Sequence, residues 1–110
     1  MQVEVRDDGD VVLIEPVGDI DGKTAPEFQQ QVLERLRPEA RIVLNLAQVA
    51  FMSSAGLRSM LLIYREAKSM DARVVLAEIN RDIRNSMSAT GFLPFFKVCD
   101  SVQDAMRDAG

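Results

Sequence analysis

The chain has 110 residues, 47% of them hydrophobic and 27% charged, which is the composition of one ordinary globular domain. It contains one cysteine and no histidine, so an internal disulfide, cysteine-rich or histidine metal sites, and histidine-based catalytic triads are excluded. The net charge of −4 offers no basic surface for nucleic acid, and no apolar run is long enough to span a membrane. We therefore expect a cytoplasmic protein without membrane insertion, whose partner is another protein.

The first predicted elements are a hairpin and a helix. Residues 2–6 alternate apolar and polar side chains and residues 11–17 are mostly apolar, so both are typical of strands, with a polar turn between them. The three-residue spacing of Thr24 and Glu27 predicts a capping box at the start of a helix. Pro38 is expected to end that helix.

Strands and helices alternate through the rest of the chain. Further strands are predicted at 41–46, 73–77 and 95–98. Helical spacing of apolar residues predicts three more helices, which begin after Ser53, Asn80 and Ser101. This order predicts a single α/β domain with a mostly parallel sheet of about five strands and an antiparallel N-terminal strand, covered by about four helices.

The loop before the second helix is the most unusual segment. Ser53 and Ser54 stand where that helix begins, and loops at the carboxyl ends of parallel strands are where α/β domains carry their contacts. By residue type alone, either hydroxyl could simply cap the helix. Gly56 either lets a partner's backbone approach the serines or is a packing glycine of the first helical turn.

Five segments of the chain follow one known pattern. They are Ile42–Leu46, Val49–Leu57, Gly18–Asp21, Met87–Phe92 and Ser101–Ala105. Together they resemble STAS domains, specifically those of the bacterial anti-sigma-factor antagonists. Since the similarity extends over essentially the whole chain in the right order, we expect residues 1–110 to form one STAS domain.

The resemblance implies a protein-binding switch controlled by phosphorylation. In that family an anti-sigma factor that is a serine protein kinase phosphorylates one serine, which corresponds to Ser54 here. Ser53 is the alternative, because it stands where many members have Asp. The unphosphorylated form would bind the kinase and release its client, phosphorylation would block binding, and a PPM-type serine phosphatase would reset the switch. ATP and Mg²⁺ would belong to the kinase, and this chain would need no cofactor.

The resemblance also implies a partner-binding surface around the serines. Its expected members are Asp21, Met52, Ser53, Ser54, Ala55 and Gly56. Two of these have other possible roles: Asp21 as a turn residue or helix cap, and Met52 as a packing residue rather than an exposed one. Ala55 stands where many members have a second hydroxyl.

Two other functions stay open. A STAS accessory subunit of a membrane transporter would have this fold and would bind the transporter's ATPase without a phosphorylation switch. An enzyme with Ser54 as its nucleophile is disfavoured, because the chain lacks a Gly-x-Ser-x-Gly motif and histidine, and its possible lysine bases are not placed near the serine. Those lysines are Lys23, Lys68 and Lys97. We therefore expect no enzymatic activity.

Overall fold

The computed structural model describes residues 1–110, and its elements follow the predicted order. The strands are β1 Gln2–Asp8, β2 Val11–Val17, β3 Arg41–Asn45, β4 Arg73–Ala77 and β5 Lys97–Cys99. The helices are α1 Ala25–Leu33, α2 Ser54–Ser69, α3 Arg81–Ala89 and α4 Val102–Ala109, with a short 3₁₀ helix at Leu93–Phe95. None of these helices combines the length and the apolar character that a membrane crossing requires.

The five strands form one sheet in the order β1-β2-β3-β4-β5. β1 is antiparallel to β2, and every other neighbouring pair is parallel. The predicted fold class is therefore confirmed. Because β2 and β3 run in the same direction, the loops that follow them leave from the same edge of the sheet.

Helices cover the sheet on both faces, which gives the domain two apolar clusters. α1, α2 and α3 bury the larger cluster, which includes Phe28, Leu44 and Met60. α4 covers the opposite face through Ala105, which packs in the smaller cluster with Val43. Successive residues of β3 thus point into different clusters, which explains why its sequence is continuously apolar rather than alternating.

The predicted capping box of α1 is wrong. The Thr24 side chain makes no cap hydrogen bond to the helix; its hydroxyl donates to the carbonyl oxygen of Asp19 at 2.7 Å. The carboxylate of Glu27 instead accepts from the amino group of Met1 at 2.7 Å. Both side chains therefore bond to groups outside the helix instead of to the N–H groups of its first turn.

Two predicted boundaries also differ from the structure. α1 ends at Leu33 rather than next to Pro38. After Leu33 the backbone hydrogen bonds span three residues, as in a 3₁₀ turn, and the N–H of Arg35 donates to the carbonyl of Val32. The last strand begins at Lys97 rather than at residue 95. A 3₁₀ helix containing a proline in its first turn takes the place of that strand's predicted start.

Candidate functional site

Two loops meet at the carboxyl ends of β2 and β3. The N–H of Ile20 donates to the carbonyl of Phe51 at 3.0 Å, and the N–H of Ser53 donates to the carbonyl of Ile20 at 2.9 Å. Ile20 and Met52 form a parallel bridge, so the two loops continue the pairing of β2 and β3 beyond the strands. This geometry brings Asp21 and the two serines to one edge of the sheet.

The two serines have different environments. Ser53 is half-buried and is the N-cap of α2; its hydroxyl oxygen accepts from the N–H of Gly56 at 3.5 Å. Ser54 is the first residue of α2 and is exposed, and its hydroxyl is not engaged in the capping interaction. Ser54 is therefore the more accessible of the two hydroxyls, whereas Ser53 stabilises the start of the helix.

The start of α2 is electropositive. Its free N–H groups carry the positive end of the helix dipole, and no acidic residue occupies its first turn. Arg58 lies four residues after Ser54 and is exposed, so the two side chains are neighbours on the same helix face. A negative charge added to Ser54 would thus be accommodated within the domain.

Met52 and Gly56 are packing residues. Met52 is 4% exposed, so the expectation that it is exposed beside the serines is wrong. A Cβ added to Gly56 would lie 2.6 Å from the Met52 Cγ and 2.9 Å from the Ile20 carbonyl oxygen. The packing alternative therefore accounts for Gly56, since the loop after β2 occupies the space that a side chain would need. Ala55, between them, is half-buried and packs partly against the larger cluster.

Asp21 organises the loop after β2. One carboxylate oxygen accepts from the N–H of Lys23 at 2.9 Å and from the N–H of Thr24 at 3.2 Å. These two backbone hydrogen bonds, in that order, lower the pKa of Asp21 below the usual aspartate value. The side chain is half-buried, so Asp21 acts as the turn residue that sequence analysis left as an alternative.

The lowered pKa of Asp21 predicts an acid-sensitive loop. The hydrogen bonds favour the charged carboxylate, so their contribution to stability is present above the pKa of the unfolded chain and is lost as the pH falls through the lower, folded pKa. We expect the Asp21 carboxyl carbon to titrate by NMR below the usual pKa range of an aspartate. Asp21→Asn, which retains an acceptor oxygen, should keep the loop shifts of the wild type at neutral pH. Titration of Asp21 at the usual aspartate pKa would contradict this prediction.

Two residues of this surface were not predicted from the sequence. Phe51 is 54% exposed and is the most exposed large apolar side chain in the domain. Asn80 caps α3, as predicted, but its amide also donates to the carbonyls of Val49 at 3.3 Å and Ala50 at 3.0 Å. An exposed phenylalanine in a loop was a usable signal for a contact surface. The second role of Asn80 depends on a contact across about 30 residues of sequence, which no local pattern reveals.

Shallow grooves lie on both sides of the serine loop. One, of about 490 Å³, runs between α1 and α2 and includes Gly22, Ala55 and Arg58. The other, of about 230 Å³, lies between Phe51 and α3 and includes Asp82. The surface around Ser54 therefore combines shallow grooves with an exposed aromatic ring and an exposed hydroxyl.

Comparison with known proteins identifies the class. A sequence profile described as STAS domain matches residues 2–105, and the chain belongs to the STAS domain family. BtrV of Bordetella bronchiseptica, named as a candidate anti-sigma factor antagonist, is 29% identical over 89 residues, which are 80% of this chain and 77% of BtrV. Anti-sigma factor antagonists are thus found among its relatives, as the sequence motifs predicted.

Solved structures share the fold. A candidate anti-sigma factor antagonist from Thermotoga maritima has a TM-score of 0.88 at 21% identity, over 97% of this chain and 93% of that one. The phosphorylated Bacillus cell fate determinant SpoIIAA gives 0.74 at 18% identity, over 99% and 100% of the two chains. The murine anion transporter Slc26a9 gives 0.83 at 16% identity, over 94% of this chain and 18% of the transporter. At these identities the similarity is one of fold.

Proposed function

We propose that this chain is a non-enzymatic partner-binding switch, an anti-sigma factor antagonist whose binding is controlled by phosphorylation of Ser54. One observation carries the proposal: Ser54 is exposed at the first position of α2, while the neighbouring Ser53 is engaged as the N-cap. A kinase can reach the Ser54 hydroxyl without unfolding the helix. Modification of the Ser53 hydroxyl would remove the N-cap of α2.

The proposed partner surface surrounds this hydroxyl. It includes exposed and half-buried residues of the two loops and of the first turn of α2, namely Asp21, Phe51, Ser53, Ser54 and Ala55, while Met52 and Gly56 support it from below. In its unphosphorylated form this surface binds an anti-sigma factor that is also a serine protein kinase, and that kinase releases its client. A PPM-type serine phosphatase restores the binding form.

The relatives support this function. BtrV is named as an anti-sigma factor antagonist candidate, and SpoIIAA has been solved in both the unphosphorylated and the phosphorylated form. On this proposal residues 1–110 act as one STAS domain in the cytoplasm. ATP and Mg²⁺ are held by the kinase, and the domain itself supplies the hydroxyl.

Phosphorylation with the cognate serine kinase tests the site. Incubation with ATP and the serine kinase that co-purifies with the chain should add one phosphate, and Ser54→Ala should abolish its addition. Ser53→Ala is the matched control: it should still be phosphorylated, although loss of the cap lowers the free energy of unfolding by about 0.5–2 kcal/mol. Intact mass and peptide mapping give the readout. Undiminished phosphorylation of Ser54→Ala would move the site to Ser53.

An accessory role in a transporter is the second candidate, favoured by the fold similarity to Slc26a9. In that case the chain would co-purify with a transporter component rather than a serine kinase. Its binding would be unchanged in Ser54→Asp, because no switch would act at that residue. Binding that fails in Ser54→Asp and persists in Ser54→Ala would exclude this alternative.

A further inference from the structure

β1 is an unprotected edge of the sheet. It pairs with β2 along all seven of its residues, Gln2–Asp8, and nothing pairs with its outer side. The opposite edge, β5, has only three residues. Edge strands are commonly protected by shortness, proline, bulges or charged side chains. Of these features β1 has only the charges, so its outer N–H and C=O groups are available to a strand whose charges complement them.

The charges of β1 are complementary to a second copy of the same strand. In an antiparallel pair centred on Val5, all seven residues find a partner, and Glu4 of each copy lies directly opposite Arg6 of the other. Both side chains lie on the sheet face that α4 covers elsewhere, because they pair in register with Glu15 and Leu13 of β2. Two symmetry-related Glu–Arg pairs would therefore form across one interface.

Other registers lack this complementarity. A shift by one residue along β1 would place side chains of one copy on the opposite face of the other. A shift by two residues toward the amino terminus would place Glu4 opposite Glu4, and the same shift toward the carboxyl terminus would place Arg6 opposite Arg6. In the centred register Val5 lies opposite Val5 of the other copy, on the face toward α1. On either side of it, Val3 of one copy lies opposite Asp7 of the other.

Glu4 and Arg6 have no ionic partners within the chain. Both are exposed, Glu4 accepts only from the amide of Gln2 at 3.3 Å, and neither belongs to any of the five ion pairs of the domain. Glu4 even lies opposite Glu15, a like charge, across the β1–β2 pair. An added strand with Arg6 beside Glu4 would relieve that repulsion.

We propose that the chain forms a symmetric dimer in which the two β1 strands pair antiparallel about Val5, which joins the two sheets into one of ten strands. This interface goes beyond the proposed switch and does not involve the serine loop. The symmetry axis reverses the strand direction between the two copies, so the carboxyl ends of their parallel strands point in opposite directions. The two copies of Ser54 therefore lie on opposite sides of the dimer, and each remains accessible.

Charge exchange between Glu4 and Arg6 tests the register. Sedimentation of the wild-type chain across a concentration series should show a species of twice 12.2 kDa. Glu4→Arg or Arg6→Glu alone converts both attractive pairs into like-charge pairs and should weaken the dimer by about tenfold or more. A one-to-one mixture of these two single variants should restore dimerisation, because each Arg then faces a Glu. The Glu4→Arg/Arg6→Glu double variant should dimerise with itself.

Two features keep this test independent of folding. Glu4→Arg places a cation opposite Glu15, so it does not weaken the β1–β2 pair, and circular dichroism should match the wild type. Glu66→Arg, at an exposed position of α2, makes the same charge change and should leave the dimer intact. A wild-type chain that is monomeric at every concentration, or single variants that dimerise as tightly as the wild type, would overturn the proposal.

Discussion

Replacement of Gly56 by alanine is expected to lower the free energy of unfolding by about 1–3 kcal/mol, even though alanine is the better helix former by about 1 kcal/mol. The new methyl group would lie 2.9 Å from the carbonyl oxygen of Ile20, which already accepts the N–H of Ser53. The Met52 side chain can move, but the Ile20 backbone can yield only if the pairing between the two loops opens. Urea unfolding monitored by circular dichroism measures the change.

Gly22→Ala provides the matched control. Gly22 lies in the loop before α1, has no atom within 4 Å of an added Cβ and has no positive φ, so its substitution should change stability by less than about 0.5 kcal/mol. The contrast isolates the close approach of the two loops from the general effect of removing a glycine. A Gly56→Ala variant as stable as the wild type would contradict this prediction, because it would mean that the Ile20 backbone can move away from the new methyl group at no cost in stability.

The fold was predictable because its signals are local and agree with one another. The continuous apolar stretch of β3, the alternation of β1, and the side-chain caps at Asn80 and Ser101 each specify an element without reference to the rest of the chain. Their order then leaves a mostly parallel sheet as the simplest arrangement. Gly91 follows Thr90, the C-cap of α3, with a positive φ of 79°, a conformation that glycine favours at this position.

The errors arise where contacts distant in sequence decide the conformation. Glu27 has the spacing of a capping residue, but the amino group of Met1, 26 residues away, takes its carboxylate. Met52 stands directly before two serines in sequence, and it becomes a core residue through its bridge to Ile20 and its place in the larger cluster. Neither partner can be identified from a local pattern, because each contact requires the sheet to be assembled first.

The candidate site was predictable in part. The motif led to the serine loop, and the parallel pairing of β2 and β3 placed Asp21 beside it. The resemblance pointed to Ser54, but which hydroxyl caps the helix required the structure, because both residues are serines and favour the start of a helix equally. Their positions differ by one residue, and that difference makes one hydroxyl a cap and leaves the other exposed.

Phosphorylation of Ser54 is expected to weaken binding to the partner kinase by a factor of about 100 or more, which corresponds to about 2.7 kcal/mol. Phosphate adds a charge of about −1.5 to −2 and a tightly held hydration shell to the centre of the proposed surface. A partner that covers this surface must desolvate the group or place its own charges against it. Isothermal titration calorimetry with the unphosphorylated and phosphorylated domain measures the ratio of the two dissociation constants.

The same modification should not destabilise the domain. At the first position of α2 the phosphate lies at the positive end of the helix dipole and on the same face as Arg58, so the free energy of unfolding should stay constant or rise by about 0.3–1 kcal/mol. Ser69→Asp, on the same helix but at its last residue, about 22 Å away, controls for added charge and should bind as the wild type does. Loss of binding accompanied by a large fall in stability would contradict the prediction, because it would mean that phosphorylation acts by disrupting the fold. Loss of binding at constant stability would mean that phosphorylation acts on the binding surface itself.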